Sequence, residues 1–496
     1  MAAKSRDRSG PASDETPPRS PATIEEAWAV EPPSKVLWTA RPWVTSAVRA
    51  EAGRAARKEV PRTSHAAFTP APGRDPIAIL DAQEADRLAD LVPLRHARMA
   101  ASPFAYYRGT PAVMAYDLAS TPRTKITVQA SGDAHLSNFG LYASPERSLV
   151  FDANDFDETL PGPWEWDVKR LAASVIIAGR ANGFKGAENR AATMAGVRGY
   201  RTWTARYATM DLLDIWYSQI TAETIQQTLE SRKQGQGASG AQRSRNLETI
   251  FTRARSHDRL RAFNALTTVV DGQRVIKDEP PFIQHVEIPG GAPFLARVFS
   301  EYRASMAEDR REFLERYRFV DFALKVVGVG SVATRCFVLL LEGRDDDDPL
   351  LLQVKEASES VMEPYVGKSH HRNHGARVVI GQRLMQGTPD IFVGWARGAE
   401  RDFYFRQLWD MKGSVDTAKL MPAGLSMYAE LCGWALARAH ARSGDATAIA
   451  AYLGTSDAFD SAIADFAEAY ADQNERDHAA YVAAIADGRL STTANI

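Results

Sequence analysis

Apolar and polar positions repeat with different periods along this chain, and the changes of period mark its organisation. Residues 1 to about 35 carry Pro, Ser, Ala and charge without apolar periodicity, the pattern of a disordered tail. TSAVRAEAGRAARKEV (45–60) predicts a helix that stops before Pro61, and Asp81 to Leu91 predicts another with Leu88 and Leu91 on one face. From Lys125 the period shortens. ITVQA, FGLY and LVFDA read as three strands, separated by the loop SGDAHLSN and the polar turn SPERS. From Trp164 to about Val320 the pattern is mostly helical, broken by the Gly/Ser-rich stretch 230–245, which reads as a loop. EYRASMAEDRREFLERYRFV predicts an exposed helix leading into the next section.

A second β-rich section starts near Phe322. ALKVVGVGSVATRCFVLLLEG, the acidic turn RDDDDP and LLLQVKEA predict a hairpin. A helix follows at about 375–386, a strand at 402–408 and a long helix at about 424–443. On the last, Leu425, Tyr428, Leu431, Cys432, Ala435 and Leu436 keep 3.6 spacing up to Ser443-Gly444. The remainder is Ala-rich helix, and no internal repeat is visible. The expectation is an α+β chain: a tail (1–35), a helical lobe (60–320), a β-rich lobe (321–412), and a helical segment (413–496) that returns to the first lobe.

Composition narrows the function classes. The 496 residues include 60 Lys plus Arg against 62 Asp plus Glu, so no field calls for nucleic acid or an anionic membrane as partner. There is no run of 18 apolar residues, and the charged start lacks the apolar centre of a secretory signal. The two cysteines, Cys336 and Cys432, form no CxxC pair, so a reducing, cytoplasmic setting is expected.

Candidate chemistry concentrates in SGDAHLSNFGLYASPERSLVFDANDFDET. Phosphoryl transfer needs a carboxylate that accepts the proton of the attacking hydroxyl. It also needs an amide oxygen and a second carboxylate to hold a hard cation on the nucleotide phosphates. Asp133 and Asn138 stand five apart, the spacing at which kinases place base and metal amide. Asp155 then arrives on a loop after a hairpin, where the metal carboxylate belongs. The plainer reading is a pair of Asx turns beside a solvated acidic loop. In either case His135 is expected to bond within the loop and Asp152 to be structural.

The second candidate set lies far downstream. Gly328, Gly330 and Ser331 sit between two apolar runs, where a backbone without Cβ atoms can approach phosphate oxygens. Lys355 ends the strand LLLQV, as a phosphate-contacting lysine does. The plainer readings are a tight turn and an edge-strand lysine in water. Kinases carry the glycine turn and lysine first and the Asp loop afterwards. Here the order is reversed, so one site requires a circular permutation. Arg95, Arg98 and Arg108 flank the aromatic patch Phe104 to Tyr107, and two readings stay open for them: anion binding, or ion pairs within the fold.

SGDAHLSNFG and FDANDFDETLPGPWEWDVKRLAAS resemble the HGD-x-H-x2-N and I-D-F-x-D segments of aminoglycoside-phosphotransferase-like kinases, and Asp167 falls where those kinases carry a later structural Asp. Those segments, with VPLRHARMAASPFAYYRG, GVGSVATRCFVLL, LLQVKEA and 430–445, also resemble the bacterial DUF2252 family over roughly residues 60–480. The kinase resemblance implies a permuted two-lobe fold using ATP and Mg2+ (or Mn2+). It makes Asp133 the catalytic base, Asn138 and Asp155 metal ligands, and Gly328, Gly330, Ser331 and Lys355 nucleotide contacts. Ser131 departs from the family's His, the gap from Gly330 to Lys355 is long, and the partner of Lys355 is open among Glu356, Glu359, Glu363 and Gln382. The expected function is an ATP- and metal-dependent phosphotransferase acting on a hydroxyl of a small molecule or protein. The alternatives are a nucleotide-binding pseudokinase or scaffold, AMP transfer, and a phosphoesterase using Asp133, His135 and Asp155, for which His370, His371 and His374 are the only further His cluster.

Overall fold

The expected helix at 45–60 forms as α1 (Ser46–Glu59) in a computed structural model that describes residues 44–233, 259–287, 290–345, 348–408, 413 and 415–493. The expected tail, the loop from 234 onward and the middle of the RDDDD turn lie outside the described residues. The second expected helix is displaced toward the N-terminus: it stops at Glu84, and Leu88 and Leu91, the residues that suggested it, lie beyond it, Leu91 in a 3-10 turn. In α2 (Pro76–Glu84), Asp75 caps the N-terminus by accepting from the amides of Ile77 (3.0 Å) and Ala78 (3.1 Å), and Pro76 takes the first turn. Helices α3 (Val92–Ala100) and α4 (Pro103–Gly109) then lead to the strands.

Strand β1 (Thr127–Ala130) pairs antiparallel with β4 (Leu160–Pro163), and β2 (Phe139–Ala143) with β3 (Leu149–Ala153). Helices α5 (Trp164–Ala181) and α6 (Gly186–Tyr207) follow. The mostly helical stretch contains a hairpin its pattern hid, of β5 (Thr267–Val270) and β6 (Gln273–Ile276). Its two-residue turn, Asp271-Gly272, has both φ angles positive (50° and 77°), the conformation that an Asp-Gly pair favours between twisted strands. The expected helix over 301–320 is also interrupted. Helix α7 (Gly291–Ala304) ends where Ser305 Oγ turns to Tyr302 O (2.6 Å) and accepts the Trp395 amide (2.8 Å). A short α8 (Glu308–Leu314) precedes strand β8, which already begins at Arg318.

Six antiparallel strands make the larger sheet, in the order β11-β12-β10-β9-β8-β7. They are β7 (Ile283–Gln284), β8 (Arg318–Lys325), β9 (Cys336–Glu342), β10 (Pro349–Ala357), β11 (Gly394–Gly398) and β12 (Arg401–Gln407). Strand β7 comes from the residues expected in the helical lobe, and the sheet core takes in Tyr302 of α7, whose ring stacks on Phe405 at 4.0 Å. Helix α9 (His374–Met385) packs between this sheet and the helical core. The last helices are α10 (Pro422–Ser443), α11 (Ala446–Leu453) and α12 (Ala458–Ala486). They close the large core with α5 and α6, where Trp203 stacks on Trp434 at 3.8 Å, a contact worth about 0.5–1.5 kcal/mol beyond area burial.

One junction bears on the site. The C-terminal end of α10 abuts β1, with the Gln129 amide donating to Ser443 Oγ at 3.2 Å. Cys336 and Cys432 are both free and buried. Among the described residues no helix is long and apolar enough to cross a membrane.

Candidate active site

Strand β1 delivers the chain into Ser131-Gly132-Asp133. Gly132 has φ +76°, and a Cβ there would stand 2.6 Å from the Glu158 carbonyl oxygen, so only glycine fits. Asp167 on α5 pins this turn from beneath. Its buried carboxylate accepts from the amides of Ser131 (2.7 Å) and Gly132 (3.0 Å), and His440 Nε2 lies 3.1 Å away. One helical turn further along α5, Arg170 donates Nε (2.9 Å) and Nη2 (2.7 Å) to Asp133 Oδ1. Burial pushes the Asp133 carboxyl up to about 6, while Arg170 pulls against it. Asn138 Nδ2 donates to the Asp133 carbonyl (2.8 Å), which leaves its amide oxygen as the atom able to meet a cation. His135 accepts the Ser137 amide on Nδ1 (3.2 Å), so it is engaged within the loop. Asp152 is fully buried in β3 and ion-paired to Arg438 of α10.

The acidic loop after β3 meets the lysine of the distant sheet. Lys355 is 2% exposed, and its Nζ donates to Asp157 Oδ2 at 2.5 Å and lies 3.7 Å from Asp155 Oδ1. Burial disfavours its charge, but the Asp155 and Asp157 carboxylates outweigh that and hold its pKa well above the ordinary range. Tyr404 of β12 donates its hydroxyl to Asp157 Oδ1 (2.5 Å), and Ser331 Oγ reaches Oδ2 (3.4 Å). None of the sequence candidates partners Lys355. Glu356 is paired with Arg335 and Arg401, Glu359 with Lys368, Glu363 Oε1 takes the Ser360 amide, and Gln382 Nε2 donates to Gln386. Helix α9 acts on the acidic loop through Arg377 instead, which donates to the carbonyls of Asp157 (2.8 Å), Thr159 (2.7 Å) and Ser358 (2.8 Å).

The glycine turn between β8 and β9 is held from outside by arginines. Arg98 Nη1 donates to Gly328 O (2.7 Å) and Arg87 Nη1 to Gly330 O (2.9 Å), while Gly328 sits at φ +67°. Arg95 is buried in an ion pair with Glu84.

Two cavities meet at this constellation. The larger, about 950 Å³, runs from Lys355 and Arg406 to Gln407 and Leu408 at the end of β12. The smaller, about 700 Å³, opens over Asp133, Asp157 and Glu158. Asn138, Asp155, Gly328 and Ser331 border both; Lys355 borders only the first and Asp133 only the second. The structure therefore brings all seven sequence candidates to one place.

Sequence reasoning missed Arg170, Asp157, Tyr404 and Arg377. For Arg170 a signal existed, since Asp167 and Arg170 stand three apart on one helix face. Asp157 stood out as part of the acidic loop after β3, but nothing marked it as the partner of Lys355; Tyr404 and Arg377 had no signal, because each meets its partner far away in sequence. Among the described residues no three His, Cys, Asp or Glu side chains are placed to hold a metal together. The pair Asn138 and Asp155 still suits magnesium, which binds through one or two protein ligands with phosphate and water completing its octahedron.

The family described as "uncharacterized protein conserved in bacteria (DUF2252)" matches residues 87–484. No curated protein and no solved structure matches the chain.

Proposed function

The chain belongs to the DUF2252 family, and we propose that this member is an ATP- and divalent-metal-dependent phosphotransferase with a kinase-like, circularly permuted two-lobe fold. One observation carries the reading. The residues suited to a metal, Asn138 and Asp155, border both cavities, while the phosphate-suited lysine borders one and the base-suited carboxylate borders the other. That is the division of space required when a nucleotide and an acceptor approach a transferring phosphoryl group from opposite sides. The abutment of α10 on β1 supports the permutation, because in the kinase order a helix at that place runs directly into the Asp loop.

In this reading ATP lies in the larger cavity with its phosphates toward Lys355 and the glycine turn. Lys355 exchanges Asp157 for a phosphate oxygen, and Asp157 keeps the Tyr404 hydroxyl. A magnesium ion on Asn138 and Asp155 would supply charge neutralisation on the phosphates. Asp133, oriented by Arg170, takes the proton of an acceptor hydroxyl entering from the smaller cavity. The acceptor oxygen bonds to the γ-phosphorus as the bond to the β–γ bridging oxygen breaks, and that electron pair leaves with ADP.

Calorimetry with ATP, with and without Mg2+ or Mn2+, tests the reading on wild type and Asp155→Ala. Metal-dependent ATP binding that the substitution weakens supports it; equal affinity in both proteins with metal present sinks it. Mass spectrometry of the protein after incubation with ATP separates phosphoryl from adenylyl transfer. Nucleotide binding without either product, or any ATP hydrolysis, points to the pseudokinase alternative.

A further inference from the structure

The sequence places Arg95, Arg98 and Arg108 around one aromatic patch, and the fold gives them three different surroundings. Arg95 is ion-paired, and Arg98 is tethered to a carbonyl of the glycine turn. Arg108, at the end of α4, has no hydrogen bond and no carboxylate within ion-pair distance among the described residues, and its Nε is buried without a partner. Its backbone carbonyl lies against the glycine turn, 3.3 Å from where a Cβ on Gly330 would be. Arg108 borders both cavities, as only the metal-suited pair and the glycine turn otherwise do. Burial weakens its charge, while Asp133 and Asp155 are the carboxylates that sustain it.

A guanidinium in a fold normally has its planar fork filled, because an unfilled buried donor costs about 1–3 kcal/mol. A structural role by hydrogen bond or ion pair would require a protein acceptor, and none is present among the described residues. A role in holding only the acceptor would place it in the smaller cavity alone.

We propose that Arg108 is a catalytic residue that binds the phosphoryl group in transit between the two cavities. The proposal rests on the phosphotransferase reading. While the new oxygen–phosphorus bond forms and the bond to the β–γ bridging oxygen breaks, negative charge is spread over the three other oxygens of that group. The fork can donate to two of them at once, whereas the Lys355 ammonium acts as a point charge. An arginine supplied to such a transition state is worth about 10³–10⁵ in rate.

The test is calorimetry in Mg2+ with ADP alone and with ADP plus aluminium fluoride, a mimic of the phosphoryl group in transit. Wild type is expected to bind the fluoride complex more tightly than ADP. Arg108→Ala and Arg108→Gln should keep ADP affinity within about threefold and lose about tenfold or more of the added affinity, the size of a charge-assisted pair. Arg108→Lys should fall between. The proposal is overturned, with the phosphotransferase reading intact, if both variants bind the fluoride complex like wild type, or if wild type gains nothing from fluoride. It is also overturned if Arg108→Gln, melting like wild type, loses ADP itself, since Arg108 then serves ground-state binding. Absence of ADP and ATP binding by wild type removes both readings together.

Discussion

The two cavities share Arg108, Asn138 and Asp155, yet their remaining walls are charged in opposite ways. Basic side chains dominate the larger one, among them Arg98, Lys325, Lys355 and Arg406. Acidic ones dominate the smaller, among them Asp86, Asp133, Glu356 and Asp402. The partners of several of these groups differ as well, Lys355 with its two carboxylates apart. Arg98 is held by the Gly328 carbonyl, and Arg406 by Gln353 Oε1 (2.9 Å) and the Asn154 carbonyl (2.9 Å), all neutral acceptors. In the smaller cavity Glu356 is paired with Arg335 and Arg401, and Asp86 with Arg401 (2.6 Å). Neutral tethers position a cation without cancelling its field, whereas ion pairs cancel theirs. The larger cavity thus keeps uncancelled positive charge at Arg98 and Arg406, while Lys355 is ion-paired with Asp157 and Asp155; in the smaller one Asp133 is paired too, with Arg170.

The largest expected effect lies on the smaller side. Asp133→Asn should lower turnover by about 10²–10⁴-fold, the usual loss for a general base, read as ADP release from ATP. ATP affinity should hold, because Asp133 does not border the larger cavity; loss of ATP binding would erase the division between the cavities. The same residue sets a pH profile. Its proton-accepting form is the carboxylate, and burial raises the pKa to about 6. The wild-type rate should rise as pH climbs through about 6 and level off above it, with no such step in Asp133→Asn.

On the larger side, Lys355→Met should weaken ATP binding in Mg2+ by about tenfold to a hundredfold, the loss of about 1.5–3 kcal/mol for a hydrogen bond to a charged group. Titration calorimetry reads this directly, and unchanged affinity would remove the lysine from the nucleotide side.

Beneath both cavities, Asp167→Ala strands two loop amides and His440. Each buried group left unsatisfied costs about 1–3 kcal/mol, so the thermal midpoint should drop by several degrees. A melt matching wild type would mean that the Asp loop is held by other contacts.

The smallest effect isolates the role of ion pairing. Asp86→Asn removes a formal charge from the smaller wall, but its carboxylate is 67% exposed and Arg401 keeps Glu356. Stability should stay within about 1 kcal/mol, with ATP affinity unchanged. A shift in that affinity would show that formal charge acts across the site irrespective of local partners.

Much of the site was legible before the fold. The Asp133–Asn138 loop closes by its own bonds, His135 N to Asp133 O (2.8 Å) and Asn138 N to His135 O (2.9 Å), so its spacing carries its geometry. The apolar repeat of α10 holds in the structure, with Leu425, Tyr428, Cys432, Ala435 and Leu436 buried. The Asp271-Gly272 hairpin was equally legible from its turn residues, although the surrounding helical pattern concealed it. What periodicity could not supply was the edge of the sheet, because β7 is two residues long and gains its place by pairing with β8.

The sequence by itself determined which chemical groups this protein can bring to a site, and the local turns that carry them. Backbone hydrogen bonds and apolar periods act over a few residues, so spacing alone encodes them. Only the tertiary structure decided which charges meet. Lys355 had several acidic neighbours in sequence but is paired with Asp157, 198 positions away, and of three neighbouring arginines only Arg108 borders both cavities. Carboxylates are chemically alike along a chain, and an ion pair is selected by distance and burial, which exist only once distant segments have packed.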